Sequence, residues 1–159
     1  MATGDIGEIS EIGEIQTSDL HDDAAARLAA RDLRYTSARR ALVDVLAAAD
    51  RPLTLPQILA ADPTLSQSSA YRNLGELTLA GVVSRILVDD GFAYFELAEG
   101  LRHHHHHIVC TTCGRIDDFT ASPALERELH RTLTQVADGT GFDVADHRLD
   151  LLGTCSDCR

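Results

Sequence analysis

No stretch of this chain approaches the ~20 consecutive apolar residues that a membrane helix needs, which argues against a helical integral membrane protein. The first twenty residues, MATGDIGEISEIGEIQTSDL, have neither a basic start nor an apolar run. A secretory signal is therefore not expected, and the expectation is a soluble, cytoplasmic protein. Without export, disulfides are not expected either. Lysine is absent, so all fourteen basic residues are arginine. This is read as codon bias rather than as a demand for bidentate contacts. What is present suffices for one ordinary domain or two small ones: 159 residues, 44% apolar and 25% charged, a balance that excludes a mostly disordered chain. The net charge of −11 argues against a polyanionic partner until it is located. Residues 1–30 carry −6 and residues 86–159 carry −7, whereas residues 31–85 hold seven Arg against five acids. Only that middle segment can meet a phosphate backbone without net repulsion.

The pattern along the chain divides it into three parts. Residues 1–20 repeat Gly-Glu-Ile without periodicity and read as a disordered acidic tail. A first helix is expected over Asp22–Arg31. Thr36 or Ser37 can cap a second, in which Ala38, Ala41, Leu42, Val45, Leu46 and Ala49 form one apolar stripe. Pro52 ends that unit, and Leu55–Ala61 forms a short third helix. A fourth begins near Ser66 and is closed by Gly81, with Ala70, Leu74 and Leu77 inward and Ser68, Ser69, Tyr71 and Arg72 elsewhere. Alternating runs Val82–Val88 and Phe92–Leu97 flank Asp89-Asp90-Gly91, a hairpin turn by its chemistry. Helices followed by a β-hairpin describe a winged helix-turn-helix domain over residues 21–98. Beyond a boundary near 98–102, residues 99–159 predict strands at His103–Cys110 and Arg115–Phe119. A helix opens at Ser122-Pro123 with Leu125, Leu129, Leu133 and Val136 on one side and is broken by Gly139 and Gly141, before a last strand over Phe142–Leu152. The expected class is α+β: a winged-helix domain followed by a small α/β domain.

Cys110 and Cys113 form one C-x-x-C, and Cys155 and Cys158 form another after a 41-residue spacer, 114 to 154. One such pair is equally a redox motif. Two pairs in a chain without export read as a structural zinc site with four thiolates, tying two distant strands together. His103–His107 run directly into this knuckle. On an extended backbone His104 and His106 face one way, and His103, His105 and His107 the other, which implies two metal sites rather than one. The bland alternative is a low-complexity polar loop.

These residues together resemble the ferric uptake regulator family of metal-dependent repressors. The resemblance runs from about Arg34 to Arg159 and rests on Ser69-Ala70-Tyr71-Arg72-Asn73-Leu74, Phe95-Glu96-Leu97, His103–Cys110 with Cys113-Gly114, and Gly153-Thr154-Cys155-Ser156-Asp157-Cys158. It implies structural zinc on Cys110, Cys113, Cys155 and Cys158. It also implies a regulatory site of Glu96, His105, His107 and Asp118, and a further site of His104, His106, Glu126 and His147. The second domain is then a dimerisation domain, and the partners are an operator in double-stranded DNA and a second copy of the chain. Ser68, Ser69, Tyr71 and Arg72 are implied groove contacts; Arg34, Arg39 and Arg40 are expected to meet phosphates. Many iron- and peroxide-sensing members carry a histidine where this chain has Arg51-Pro52-Leu53. Many zinc-sensing members carry cysteine or aspartate near the wing, where this chain has Ser84. The resemblance thus implies a regulatory Zn(II) or Fe(II) without choosing between them.

Three rivals are weighed against a metal-responsive repressor. A peroxide sensor of the same family usually has Asp where Glu96 stands. A zinc hydrolase or deaminase needs a general base beside an open metal, and neither H-E-x-x-H nor the H-x-E of the deaminases occurs. A metal-storage module has no use for the Ser68–Arg72 face. An enzyme is not expected. His130 reads as an exposed helix residue, and His21 as solvent-exposed unless the tail folds back to supply a ligand.

Overall fold

The computed structural model describes residues 17–88, 91–144 and 147–159. Most of the expected tail over residues 1–20 lies outside the described residues. Its last four positions are corrected: α1 (Thr17–Ala29) begins five residues before Asp22. The cause is a spacing of four, which places Leu20, Ala24 and Leu28 on one face, all buried. α2 (Ser37–Ala47) opens on Thr36, whose hydroxyl accepts the Arg39 backbone N–H. It buries Leu42, Val43 and Leu46, so the inner stripe is turned towards Val43 and leaves Ala38, Ala41, Val45 and Ala49 half-buried at its edges. β1 (Leu53–Thr54) is too short to show an alternation and was not expected; α3 (Leu55–Ala61) follows it directly.

α4 (Gln67–Leu79) buries Ala70, Asn73, Leu74 and Leu77. It stops at Gly81, where φ is 70° and the amides of Gly81 and Val82 return to the carbonyls of Thr78 and Leu77, a conformation glycine adopts without a Cβ clash. β2 (Val83–Leu87) and β3 (Ala93–Leu97) pair antiparallel, and β1 adds to β3, giving the order β1-β3-β2. Asp89 and Asp90 of the expected turn lie outside the described residues. One core joins α1 to α4 and this sheet, from Leu20 through Leu46, Ile58 and Leu74 to Phe95, Leu97 and Leu101.

The second lobe is a three-stranded sheet in the order β5-β4-β6, made of β4 (His106–Cys110), β5 (Ile116–Phe119) and β6 (Asp150–Gly153). β5 runs antiparallel to β4, while β6 runs parallel to it with Cys110 opposite Gly153. Both outer expectations shrink: His103–His105 precede the strand, and the last strand starts at Asp150 rather than Phe142. α5 (Pro123–Thr140) is capped by Ser122, whose hydroxyl accepts the Leu125 amide, passes through Gly139 and ends at Gly141 with φ of 74°. Gly139 is the second-last residue of the helix, and even an interior glycine costs only about 1 kcal/mol, too little to break a helix of 18 residues. The lobe has little core of its own: Val109 and Ile116 close a small cluster with Ile86 and Tyr94 of the first lobe, and α5 buries no residue. Among the described residues no helix is long and apolar enough to cross a membrane.

Candidate functional site

The parallel pairing of β6 with β4 brings the chain's last residues beside its first C-x-x-C. Cys110 ends β4, and Gly153 opposite it leads into the 3-10 turn Ser156–Cys158. The four sulfurs lie within 4.8 Å of one another, and Cys113 and Cys155 are 3.8 Å apart. Disulfide sulfurs sit at about 2.05 Å, whereas a tetrahedral ion with bonds of about 2.3 Å spaces its sulfurs about 3.8 Å apart. The thiols also cannot ionise together. The backbone N–H groups of Cys155, Cys113 and Thr112 hold Cys110 down to about 6, while the neighbouring sulfurs, Cys155 first, push Cys158 up to about 12. A divalent cation relieves that conflict, so this donor set fits zinc.

The second cluster joins the two lobes. Glu96 sits near the end of β3, buried, while His105, His107 and Asp118 come from the start of the second lobe and β5. The register that places His107 opposite Asp118 sets the latter pair. His105 Nε2 lies 3.0 Å and His107 Nε2 3.3 Å from Glu96 Oε2; each is 3.8 Å from an Asp118 oxygen. Of the other ring nitrogens, His105 Nδ1–H donates to the His103 carbonyl at 2.9 Å, while His107 Nδ1 faces Asp150 Oδ1 at 3.5 Å without a hydrogen bond. Anchoring Nδ1 in this way turns His105 Nε2 towards the cluster, the arrangement that ligating histidines use. Burial would raise the Glu96 carboxyl, but hydrogen bonds from His105 and His107 outweigh it and hold it down at about 2. The same bond to Glu96 raises His105. Asp118 Oδ1 is buried and makes no hydrogen bond among the described residues. Two imidazoles, two carboxylates and one unsatisfied oxygen fit a divalent cation.

The opposite face of the histidine run gathers His104, His106, Glu126 and His147, again within 4.8 Å of one another. His106 Nε2–H donates to Glu126 Oε1 at 2.8 Å, and His104 and His147 approach Glu126 Oε2 at 3.4 and 4.0 Å. Glu99, which the sequence reading passed over, takes His104 Nδ1 and leaves Nε2 towards the cluster. All three predicted donor groups therefore assemble, residue for residue. His130 is exposed and outside them. His21 is corrected: it is buried, with Nδ1 2.6 Å from the Tyr35 hydroxyl and Nε2 3.0 Å from Asp44 Oδ1, pinning α1 to α2 and belonging to none of the three donor groups.

On the outer face of α4, Tyr71 is 66% exposed, and Ser68 and Arg72 are exposed beside it. Ser69 is half-buried and accepts from Asn73 Nδ2 at 3.1 Å. Arg85 of β2 lines the same groove as Tyr71 and Arg72, a contributor legible only as the lone arginine of the wing strands. Arg34 and Arg40 are exposed as expected, with Arg40 stacked over the Tyr35 ring. Arg39 is corrected. It is buried, its Nε–H donates to Asn73 Oδ1 at 3.2 Å, and its other nitrogens are taken by the Arg34 carbonyl and the Glu76 carboxylate. Its three nitrogens all point into the fold, so it clamps α2 to α4 rather than facing a phosphate.

The model of the ferric uptake regulator family matches residues 30–152. The chain belongs to that family. Its members are transcriptional regulators, not enzymes. A "Ferric uptake regulation protein" of Bordetella parapertussis is 30% identical over 80% of this chain and 90% of its own length. The protein of the same name from Legionella pneumophila is 32% identical over 58% of this chain, which spans only 62% of that relative. A "Peroxide-responsive repressor PerR" of Staphylococcus saprophyticus is 30% identical over 87% of this chain and 90% of its own length. Among solved structures, the ferric uptake regulator of Pseudomonas aeruginosa with manganese superposes with a TM-score of 0.66 and 25% identity, covering 82% of this chain and 96% of that one.

Proposed function

We propose that this chain is a metal-responsive transcriptional repressor of divalent-metal homeostasis, working in the cytoplasm as a homodimer on an operator in double-stranded DNA. The observation that carries the reading is the split origin of the inter-lobe cluster: Glu96 belongs to the wing, whereas His105, His107 and Asp118 belong to the second lobe. When bound there, Zn(II) or Fe(II) supplies two positive charges and a preferred coordination geometry. Holding the four side chains together fixes the angle of α4 to the second lobe. Two α4 helices must enter grooves about one helical turn apart, or a simple multiple of it, so that angle governs affinity. The four thiolates hold structural Zn(II), and Tyr71, Arg72, Ser68 and Arg85 face the duplex, with Arg34 and Arg40 on phosphates.

The second copy is argued from the lobe that lacks a core. Ile108, Leu125, Val136, Phe142, Leu151 and Leu152 are all more than 40% exposed there, an apolar surface that a monomer does not leave in water. Electrophoretic mobility shifts with metal-free and metal-loaded protein test the switch; equal affinity in the two states would defeat it. Peroxide sensing is the second reading, favoured by the extent of the Staphylococcus match. An oxygen added to His105 or His107 after peroxide treatment of the Fe(II) form would support it, and unmodified histidines would remove it.

A further inference from the structure

Arg102 was not singled out by any motif, yet it lies inside the inter-lobe cluster. Its NH1 is 3.4 Å from Glu96 Oε2 and its NH2 is 3.0 Å from Asp118 Oδ2. These are the same two oxygens that His105 Nε2 approaches, at 3.0 and 3.8 Å. His107 Nε2 lies 3.2 Å from Glu96 Oε1, 3.3 Å from Oε2 and 3.8 Å from Asp118 Oδ1. The guanidinium thus straddles the acid pair, one nitrogen on the first lobe's carboxylate and one on the second's. It is 22% exposed, with a route to water. Its neighbour Leu101 is buried in the first lobe's core, so the backbone is anchored at this point and any departure from the acids falls to the side chain.

We propose that Arg102 is an internal counter-cation: its guanidinium holds Glu96 and Asp118 in the metal-free protein and must leave them for a divalent cation to enter, so that this exchange sets the concentration at which the site fills. A guanidinium cannot shed its charge by deprotonation. With Arg102 in place, the acid pair has one charge already neutralised and two of its four oxygens engaged. An incoming dication meets like charge at contact distance, where screening by salt is weak. Arg102 also links the lobes without metal, so exchange replaces a flexible inter-lobe tether with a coordinated one. The inference rests on the regulatory reading of this cluster, and its test separates the two.

The test titrates Co(II), followed by its visible absorption, into full-length protein whose four cysteines hold zinc. The double variant His105→Ala/His107→Ala first identifies which binding event belongs to the cluster. Arg102→Gln, which keeps much of the bulk and loses the charge, is expected to bind Co(II) about tenfold tighter at that event, equivalent to 1.4 kcal/mol. Arg102→Lys, which keeps the charge but cannot fork onto both acids, is expected to tighten it by less. The metal-free Arg102→Gln protein should also melt at a lower temperature than wild type, with the gap closing at saturating Co(II). If the event survives in the double variant, the regulatory reading itself falls. Should the event vanish there while Arg102→Gln binds as wild type or more weakly, the counter-cation falls and the reading stands. Where Arg102→Gln does not fold, Arg102→Lys decides, and unchanged or weaker binding in it overturns the proposal.

Discussion

Replacing Arg39 distinguishes an internal clamp from a phosphate contact, because the two roles leave opposite signatures. Arg39→Met removes three charge-assisted donors but keeps most of the stem. Asn73, only 6% exposed, loses the partner of its Oδ1, and a buried polar atom left unpaired costs about 1–3 kcal/mol. The Arg34 carbonyl lies at the exposed rim and regains water cheaply. Glu76 has 29% of its side chain exposed but the oxygen facing Arg39 is buried, so its carboxylate must turn outward to rehydrate and adds about 1 kcal/mol rather than the 3–5 of a fully buried broken pair. The expected loss is therefore about 2–4 kcal/mol, read as a lower urea midpoint. Phosphate contacts instead appear in the salt dependence of DNA binding, where each lost contact flattens the slope of log K against log salt by about 0.9. Arg39→Met should leave that slope unchanged and lower affinity only through a loosened α4. Arg34→Ala and Arg40→Ala should each flatten it by about 0.9 while moving stability by under about 0.5 kcal/mol. A flattened slope with an unmoved urea midpoint in Arg39→Met would refute the clamp.

Three further outcomes follow from the same geometry. Cys158→Ser should cost the protein one zinc per chain and strip amide protection from residues 106–119 and 150–158 while the first lobe keeps its own, since structural zinc contributes about 10–16 kcal/mol of apparent binding energy in small modules; hydrogen exchange that stays uniform would count against it. In metal-free protein the Glu96–His105 pair has a definite pH window. The raised His105 contributes fully below its unfolded value of 6.5 and loses that contribution as pH climbs through the folded value; Glu96, held at about 2, contributes above its unfolded 4.5 and fades as pH falls towards 2. Denaturation midpoints should therefore show a contribution peaking between about pH 4.5 and 6.5 that Glu96→Gln abolishes, and an identical profile in the variant would discredit the pairing. Phe142→Glu with Leu152→Glu, at positions 75% and 72% exposed, should shift sedimentation from dimer to monomer and weaken operator binding; a dimer that persists places the interface elsewhere.

The donor groups were legible because their signals are local. The spacing of two within each C-x-x-C, and the period of two along an extended histidine run, both survive without knowledge of the fold. His104 and His105 still point to opposite clusters although neither is in the strand that was expected to hold them. Turn and cap chemistry was equally readable, as Thr36, Ser122 and Gly81 show. What stayed hidden depends on which surfaces meet. Arg39 and Arg40 are adjacent and identical in type, yet one clamps α4 and the other lies in solvent. The difference is 100° of helix rotation, set by how α2 docks on α4. His21 reads as polar until Tyr35 and Asp44 arrive to satisfy both nitrogens. Arg102, Glu99 and Asp150 carry no motif, since each acts by touching a donor rather than by being one.

The parallel pairing of β6 with β4 gives the structural zinc a bearing on the inter-lobe cluster. β6 forms only four ladder positions with β4, His107 opposite Asp150 at one end and Cys110 opposite Gly153 at the other. A strand that short, on the edge of a sheet with little core beneath it, has weak register of its own. Its far end is fixed covalently close to Cys155 and Cys158, so convergence of the four sulfurs sets the register from outside. A slip of one residue would carry Asp150 to the other face, away from His107 Nδ1, now 3.5 Å from it. Without that carboxylate beside Nδ1, the His107 ring has one fewer contact keeping its Nε2 towards Glu96. The four-cysteine group is therefore expected to position one residue of the inter-lobe cluster through three strand residues, and the two groups are expected to lose metal affinity together when either Cys155 or Cys158 is removed.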